Sequence, residues 1–300
     1  MENNNTTQFE KVFNILESTG TNWTAEKKQL ISIDGNATES FGVFRSDDGQ
    51  WLGTVKDRYK PMQNATLVEL LVEAAGTLDL NLTSGGIFKN GSRVFYQLGL
   101  SDEYIGKSFV KRNITALNSH DGSTSIAFGS SNTVVACSNS FFRVHREKGN
   151  MEKVKHTISA HERVREMANN IRFAIENDVK MMETFKRMAD VQLRDEMVEK
   201  LVSKLFKVDV NKDTKDVGTR TKNNIITFAD NLQTEINLEG RTIWGLFNAV
   251  TRYTNHHAAP KNDLAKSEYL MLGTGADLSN LAFNELAAYI ENNSTQYVIA

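Results

Sequence analysis

The chain has 300 residues, 40% of them hydrophobic and 24% charged, with a formal net charge of −2. These values are typical of a globular protein with one large or two modest domains. No apolar run reaches the ~18 residues that span a bilayer, and the first residues lack the segments of a signal peptide. The single cysteine, Cys137, excludes a disulfide framework and a multi-cysteine zinc site within the chain. We therefore expect a protein of the reducing cytoplasm that does not contact membranes.

The first 80 residues combine helical and strand-like patterns. Apolar residues at three- and four-residue spacing predict a helix over residues 9–19. Residues 41–55 are typical of a β-hairpin around the turn at 46–49. Thr66 opens a capping-box pattern, which predicts a helix that begins there and ends at Gly76.

Strand patterns dominate the next part of the chain. Residues 87–96 predict a hairpin, and the Asn90-Gly91 pair favours a two-residue type I′ turn. Three more strands are predicted, at residues 108–117, 124–128 and 133–137. The last of these would make Cys137 a buried, inert thiol within a strand.

The hydrophobic period changes from 2 to 3.6 after residue 158. Ser159 opens a second capping-box pattern, and apolar residues then recur at helical spacing as far as Leu205. This pattern predicts one long helix or two helices in series. Residues 211–224 are polar and predict a flexible connection. Two further helices are predicted, at residues 243–253 and 278–290.

The predicted fold class is α+β. An antiparallel, hairpin-rich sheet with one inserted helix precedes a long helix and a helical C-terminal region. We expect an N-terminal helix and lead-in over residues 1–40, the core sheet with the long helix over 41–207, and the helical region over 208–300.

The sequence contains no pattern of a nucleotide-binding loop, a zinc protease or a serine hydrolase, and we assign no catalytic residue, metal ligand or cofactor. His120 and Asp121 are the best polar pair, on a tight connection between predicted strands. They belong either to a catalytic site or to a turn in which Asp121 and Gly122 supply the backbone geometry and His120 is a local hydrogen-bonding partner.

Basic side chains cluster between Arg143 and Arg172, where eight basic residues stand against four acidic ones. The cluster is either a phosphate-binding face or the solvated, charge-mixed start of a helix. Aromatic residues at 88, 95, 96, 141 and 142 lie near basic residues in the sequence. This combination is typical of proteins that bind single-stranded nucleic acid. At least half of these rings are nevertheless expected in the core. The expected nucleic-acid contacts are Arg93, Lys107, Lys111, Arg112, Arg143, Arg146, Lys153 and Lys155.

Several blocks of the sequence together resemble the phage- and plasmid-like proteins of domain of unknown function 932. The blocks are L-G-T-V at 52–55, Y-K-P-M-Q-N at 59–64, N-S-H-D-G-S at 118–123, V-V-A-C-S-N at 134–139, K-H-T at 155–157 and W-G-L-F-N-A-V-T-R-Y at 244–253. The residues that carry the central motifs are Asn118, His120, Asp121, Gly122, Asn139 and His156. The resemblance covers about residues 40 to 257, and the chain departs from the family pattern at Ser140 and Lys155.

The resemblance implies a protein of phages and mobile elements that acts in the cytoplasm of a bacterial host. By analogy of fold alone, such chains are similar to the single-strand annealing recombinases of the RecT and Redβ type. That similarity implies single-stranded DNA as the partner and a homo-oligomer in the form of a ring or a filament.

Three functions follow from these observations. The first is single-stranded-DNA binding and strand annealing in recombination, without a cofactor. The second is a protein-interaction or assembly accessory factor of a mobile element, which could recruit its partner through the C-terminal helices. Its motivation is a group of methionines suited to an adaptable surface, namely Met167, Met181, Met182, Met188 and Met197. The third is an enzyme centred on His120 and Asp121.

Overall fold

The computed structural model describes residues 8–123, 126–144, 160–209 and 217–294. The chain divides into two compact units. Unit 1 comprises Met1–Leu100, Asn113–Ser130 and Val144–Glu176. Unit 2 comprises Ser101–Arg112, Ser131–Arg143 and Asn177–Ala300.

Strands fill the first half of the described chain. They are β1 Ala25–Ile31, β2 Ala37–Arg45, β3 Trp51–Lys56, β4 Leu82–Phe88, β5 Arg93–Gly99, β6 Glu103–Ile105, β7 Ser108–Ser119, β8 Ala127–Val134 and β9 Asn139–Val144. One antiparallel sheet has the order β1-β2-β3. The other has the order β4-β5-β7-β8-β9, with β6 paired to β7.

Helices flank the strands and dominate the C-terminal half. They are α1 Gln8–Ser18, α2 Asn64–Gly76, α3 Ala160–Asp190, α4 Asp195–Phe206, α5 Thr219–Glu239, α6 Ile243–Arg252, α7 Asp263–Leu272 and α8 Thr274–Ser294. A π-helical turn, Tyr253–His257, continues α6. These elements confirm the predicted α+β class and the expectation of two helices in series after the sheet.

Unit 1 has a core of aliphatic side chains from α2, β5, β7 and the first part of α3. Leu67 and Leu71 of α2 are fully buried in it, as are Leu98 and Ile114 of the sheet. The spacing of the two leucines places both on one face of the helix, which is why α2 packs against the strands.

Unit 2 has a core that is rich in aromatic rings. Phe185 of α3 lies within 6 Å of four other rings, those of Phe141, Trp244, Phe247 and Phe283. Edge-to-face and offset contacts of this kind add stability beyond the area that the rings bury. The methionines predicted to form an adaptable surface are buried in the cores of the two units, so that expectation is wrong.

Four local expectations are corrected by backbone geometry. Helix α2 begins at Asn64, two residues before the predicted capping box, and the side chain of its N-cap residue Gln63 bonds the backbone N and O of Ala25 and not the helix. The hairpin after β4 pairs Phe88 with Arg93, so its loop has four residues and not the two of a type I′ turn. Of the strand predicted at 133–137, the first two residues end β8 and the others lie in a turn, and β9 begins only at Asn139.

The start of β9 also changes the setting of the single cysteine. Cys137 lies in the turn before this strand, where Ser138 has φ +55°, and its side chain is half-buried. Burial raises the pKa of the Cys137 thiol.

The fourth correction concerns the polar connection predicted at 211–224, since helix α5 already begins at Thr219. Strands β1 and β6 and helices α5 and α7 had no sequence prediction, and Ser159 lies outside the described residues.

Over the described ranges, no helix is long and apolar enough to cross a membrane. Within the same ranges, no group of three histidine, cysteine, aspartate or glutamate side chains is arranged to hold a metal ion.

Candidate nucleic-acid interface

The β6–β7 hairpin presents an aromatic pair to solvent. Tyr104 and Phe109 are register partners in the antiparallel ladder, so their side chains lie on the same face. Their ring centroids are 5.0 Å apart with the planes tilted by 53°. The ring of Tyr104 is 66% exposed, and that of Phe109 is half-buried. A tight turn is possible here because Gly106, at its first position, has φ +55°.

Two lysines lie beside this aromatic pair. Lys107 completes the turn, and Lys111 follows Phe109 by two residues and therefore shares its face of the strand. Both side chains are exposed, and neither forms an ion pair with another described residue. We call Tyr104, Lys107, Phe109 and Lys111 the hairpin face. Its chemistry combines two planar rings with two exposed ammonium groups.

Arg112 points to the opposite side of β7 and is held inside unit 2. Its guanidinium donates to Oδ2 of the fully buried Asp178, at 2.9 Å from Nε and 2.7 Å from Nη2. It also donates to Glu103 at 3.2 Å, and Asn132 donates to the other oxygen of Asp178 at 3.1 Å. The charge of Arg112 is thus balanced within the protein, and we leave this residue out of the proposed interface.

Arg143 and Arg93 are also engaged within their own units. The Arg143 guanidinium lies over the Phe283 ring, 4.7 Å from its centroid, and donates to Asn280 at 3.2 Å. Burial lowers the pKa of Arg143. Arg93 is half-buried at the start of β5, and its Nη2 donates to Ser123 at 3.4 Å. The predicted contacts Arg146, Lys153 and Lys155, with the motif residue His156, lie outside the described residues.

Most aromatic residues singled out in the sequence belong to the cores. Phe88, Tyr96, Phe141 and Phe142 are buried, and Phe95 is half-buried with its ring stacked 4.8 Å from that of Phe88. The Tyr104–Phe109 pair was missed because β6 has only three residues. The signal was present in the sequence, as a Gly106-Lys107 turn between two short runs of β-forming residues.

His120 is at the centre of a buried network in unit 1. It is fully buried, and its Nε2 lies 2.9 Å from Oδ1 of Asn64. The amide of Asn64 donates in turn to the backbone oxygens of Thr21, at 3.0 Å, and Trp23, at 3.3 Å. Burial lowers the pKa of His120 to about 4, so the ring is neutral near pH 7. A group enclosed in this way positions its neighbours and has no access to a dissolved substrate.

The residues around His120 form the turn anticipated in one of the two interpretations of the sequence. Gly122 has φ +73°, and a side-chain oxygen of Asp121 accepts from the backbone N of Ser123 at 2.8 Å. A Cβ on Gly53 would lie 2.6 Å from Cβ of Asp121, so only glycine allows this approach. Tyr59 donates to the backbone O of Ser119 at 2.8 Å, and burial raises the pKa of Tyr59 to about 12.

Asn118 precedes this turn and is also buried. Its amide lies 3.5 Å from the backbone O of Met62, just before the Gln63-Asn64 pair. The blocks at 52–55, 59–64 and 118–123 are therefore brought together in one place within unit 1.

Asn139 is at the centre of a second buried network, in unit 2. Its amide nitrogen lies 3.3 Å from Oε1 of Glu235 and 3.4 Å from the backbone O of Asn248. Nε2 of His256 lies 3.1 Å from Oδ1 of Asn139 and 3.0 Å from the backbone O of Cys137, so this nitrogen donates. Burial raises the pKa of Glu235, against the opposing effect of Arg252, whose Nη1 is 2.9 Å away.

A family model with the description "Domain of unknown function (DUF932)" matches residues 51–272, which is more than half of the chain. The chain belongs to this family. Comparison with curated proteins and with solved structures gave no match.

The DUF932 match includes the side chains of both buried networks and the hairpin face. Among the described motif residues, Asn118, His120 and Asn139 are buried and hydrogen-bonded within their own units, and Asp121 and Gly122 form a turn, so these residues position β-strands and turns. The side chains of the hairpin face that are free to contact a ligand carry no such motif. In this DUF932 chain, the residues that reveal the family and the residues suited to binding are therefore different sets.

Proposed function

We propose that this DUF932 protein binds single-stranded DNA and promotes the annealing of complementary strands, without a cofactor, in the recombination of phage or plasmid DNA. The observation that carries the proposal is the hairpin face. It joins the exposed Tyr104–Phe109 pair to Lys107 and Lys111, two exposed lysines that form no ion pair with another described residue.

Each component of the hairpin face matches a feature of a single strand. The planar rings offer surfaces on which unpaired bases stack, an interaction worth roughly 1–3 kcal/mol per base and tolerant of sequence. The ammonium groups neutralise phosphates and release counterions, which makes binding weaken as salt rises. A duplex keeps its bases inside the stack, so the rings would favour single strands over double strands.

We expect this mode of binding to promote annealing, because part of each bound base remains accessible. A strand held by its phosphates, with some bases stacked on protein rings, is extended and free of its own hairpins. The hydrogen-bonding edges of its other bases then remain open to a complementary strand. We propose that several copies of the chain act on one strand, as a ring or filament.

The first experiment measures the affinity of the purified protein for labelled single- and double-stranded oligonucleotides over a salt series. We expect preferential binding to the single strand and a steep fall in affinity with salt. The double variant Lys107→Ala/Lys111→Ala should reduce the slope of log K against log salt by about 1.4, because each single-strand phosphate that a lysine neutralises adds roughly 0.7 to that slope. Tyr104→Ala should weaken binding without changing the slope.

A matched control is Lys180→Ala, which removes an exposed lysine of α3 in the same unit. It should leave both the affinity and the salt slope unchanged. If the hairpin variants behave like this control, the hairpin face is not the DNA site. If the protein binds neither kind of oligonucleotide even at low salt, the proposed function is wrong and a protein partner becomes the better explanation.

A further inference from the structure

The outward face of the β1–β3 sheet in unit 1 carries a second aromatic pair. Phe44 of β2 is the register partner of Trp51 in β3, so the two side chains share one face of the sheet. Val43 and Val55 point the other way and are buried in the core of unit 1. Trp51 is 54% exposed, and Phe44 is half-buried.

Gly42 explains how the Phe44 ring lies on this sheet. A Cβ added at Gly42 would be 2.5 Å from Cε2 of Phe44, so the ring lies over the glycine. Leu30, on the neighbouring strand β1, is 3.1 Å from the same point. The missing side chain lets the ring rest against the backbone, which leaves an aromatic surface beside Trp51.

Lysines accompany this pair as well. Lys28 of β1 has its Nζ 5.6 Å from the Phe44 ring centroid and forms an ion pair with Glu26 at 2.8 Å. Lys56, at the end of β3, is exposed and has no ion pair with another described residue. We call Lys28, Phe44, Trp51 and Lys56 the sheet face.

We infer that the sheet face is a second site for single-stranded polynucleotide, with Phe44 and Trp51 stacking on bases and the unpaired Lys56 contacting a phosphate, while Lys28 is paired with Glu26. The inference deepens the proposed function and rests on it for the class of ligand. Strand annealing needs two strands to be held, and a second surface of the same chemistry supplies a place for the other strand.

The composition of the sheet face favours a polynucleotide over a protein. Protein interfaces are depleted in lysine, whereas single-strand sites combine lysine with exposed rings. Rings stacked on the backbone, with ammonium groups at their edge, match planar bases joined by phosphates. A second copy of this chain in a two-fold contact would instead bring a second unpaired Lys56 to the interface, and the like charges would repel.

Trp51 makes the inference directly measurable. The chain has three tryptophans. Trp23 and Trp244 are only 6% and 2% exposed, so fluorescence that acrylamide can quench belongs to Trp51. Addition of unlabelled oligo(dT) should quench this emission and protect the residual signal from acrylamide, because a stacked base covers the indole. Trp51→Phe should lose the signal while it retains an aromatic surface for binding.

Affinity for labelled oligo(dT) supplies the second readout. Phe44→Ala and Lys56→Ala should each weaken binding, roughly tenfold for the ring. The control Lys180→Ala should have no effect. If oligo(dT) binds while the Trp51 emission stays constant, and Trp51→Ala binds as tightly as the unmodified protein, the sheet face is not a site and the proposed function stands.

The same experiments also detect a failure of the hairpin face alone. If Tyr104→Ala and the Lys107/Lys111 variant bind normally, while oligo(dT) still quenches Trp51, the hairpin face fails and the sheet face survives. If Trp51 is protected without DNA in a manner that depends on protein concentration, the occupant is a second copy and the inference is overturned. Absence of binding in both readouts overturns both proposals.

Discussion

The two units bury polar side chains in different ways. In unit 1, the network of His120, Asn64 and Asn118 is neutral, and its acceptors are mostly backbone oxygens. In unit 2, carboxylates are buried with arginines, as Asp178 with Arg112 and Glu235 with Arg252. A neutral network is destabilised when one of its residues gains a charge, whereas an ionic network is destabilised when one partner is removed. We therefore expect a fall in pH to destabilise unit 1 and the loss of a charged side chain to destabilise unit 2.

The largest expected effect is in unit 2, for Asp178→Ala. The change leaves the largely buried Arg112 without its main partner and removes the carboxylate acceptor of Asn132. Removal of one partner of a buried ion pair typically costs about 3–5 kcal/mol in the free energy of unfolding. Denaturant unfolding measures it, and Asp195→Ala is the control because its pair with Arg241 is exposed and worth about 0–1 kcal/mol. Equal destabilisation of the two variants would contradict the ionic description of unit 2.

The second largest expected effect is in unit 1, where the free energy of unfolding should depend on pH. The pKa of His120 is about 4 in the folded protein, below its ordinary value of 6.5, so the unfolded chain takes up this proton first. The contribution of the neutral ring to stability is complete above pH 6.5 and is lost as the pH falls towards 4, by on the order of 3 kcal/mol.

His120→Gln removes this titration and keeps a side-chain amide beside Asn64. The difference in unfolding free energy between the original protein and the variant should shrink between pH 6.5 and 4. A second check needs no variant, since the NMR titration of the His120 ring should have its midpoint near pH 4. Parallel stability curves, or a midpoint near 6.5, would show that the ring is accessible to water.

The sequence predicted the periodic parts of both units and missed what depends on contacts between distant residues. Amphipathic spacing found α1 and α3 with α4, since each buries one face, and the apolar run at 243–253 found α6, which is buried on all sides. It placed the start of α2 too late because the N-cap residue is Gln63, which has no capping pattern and whose side chain bonds Ala25, 38 residues away along the chain. It assigned Arg112 to phosphate because its partner Asp178 lies on another element. Charge patterns along a chain do not show which lysines and arginines are already neutralised in the fold.

A smaller effect tests the close approach in unit 1 of the blocks at 52–55 and 118–123. In Gly53→Ala, the new Cβ would meet Cβ of Asp121 at 2.6 Å and its backbone Cα at 2.9 Å. Overpacking of this kind typically costs about 1–3 kcal/mol. Gly76→Ala is the matched control at the end of α2, where a Cβ meets no atom within 4 Å and should stabilise the protein by about 0.5–1 kcal/mol. A tolerated Gly53→Ala would mean that the His120 turn is not held against β3.

The smallest effect separates structural from binding cations within unit 2. Arg143→Ala removes a cation–π interaction with Phe283 and a hydrogen bond to Asn280, so it should cost about 1–2 kcal/mol of stability. Because that guanidinium is already engaged, the salt slope of DNA binding should not change. Lys111→Ala should do the reverse, with a stability change within about 0.5 kcal/mol and a slope reduced by roughly 0.7. If Arg143→Ala reduced the slope instead, the basic segment that begins at Arg143 would be part of the DNA site, and the interface would extend beyond the hairpin face.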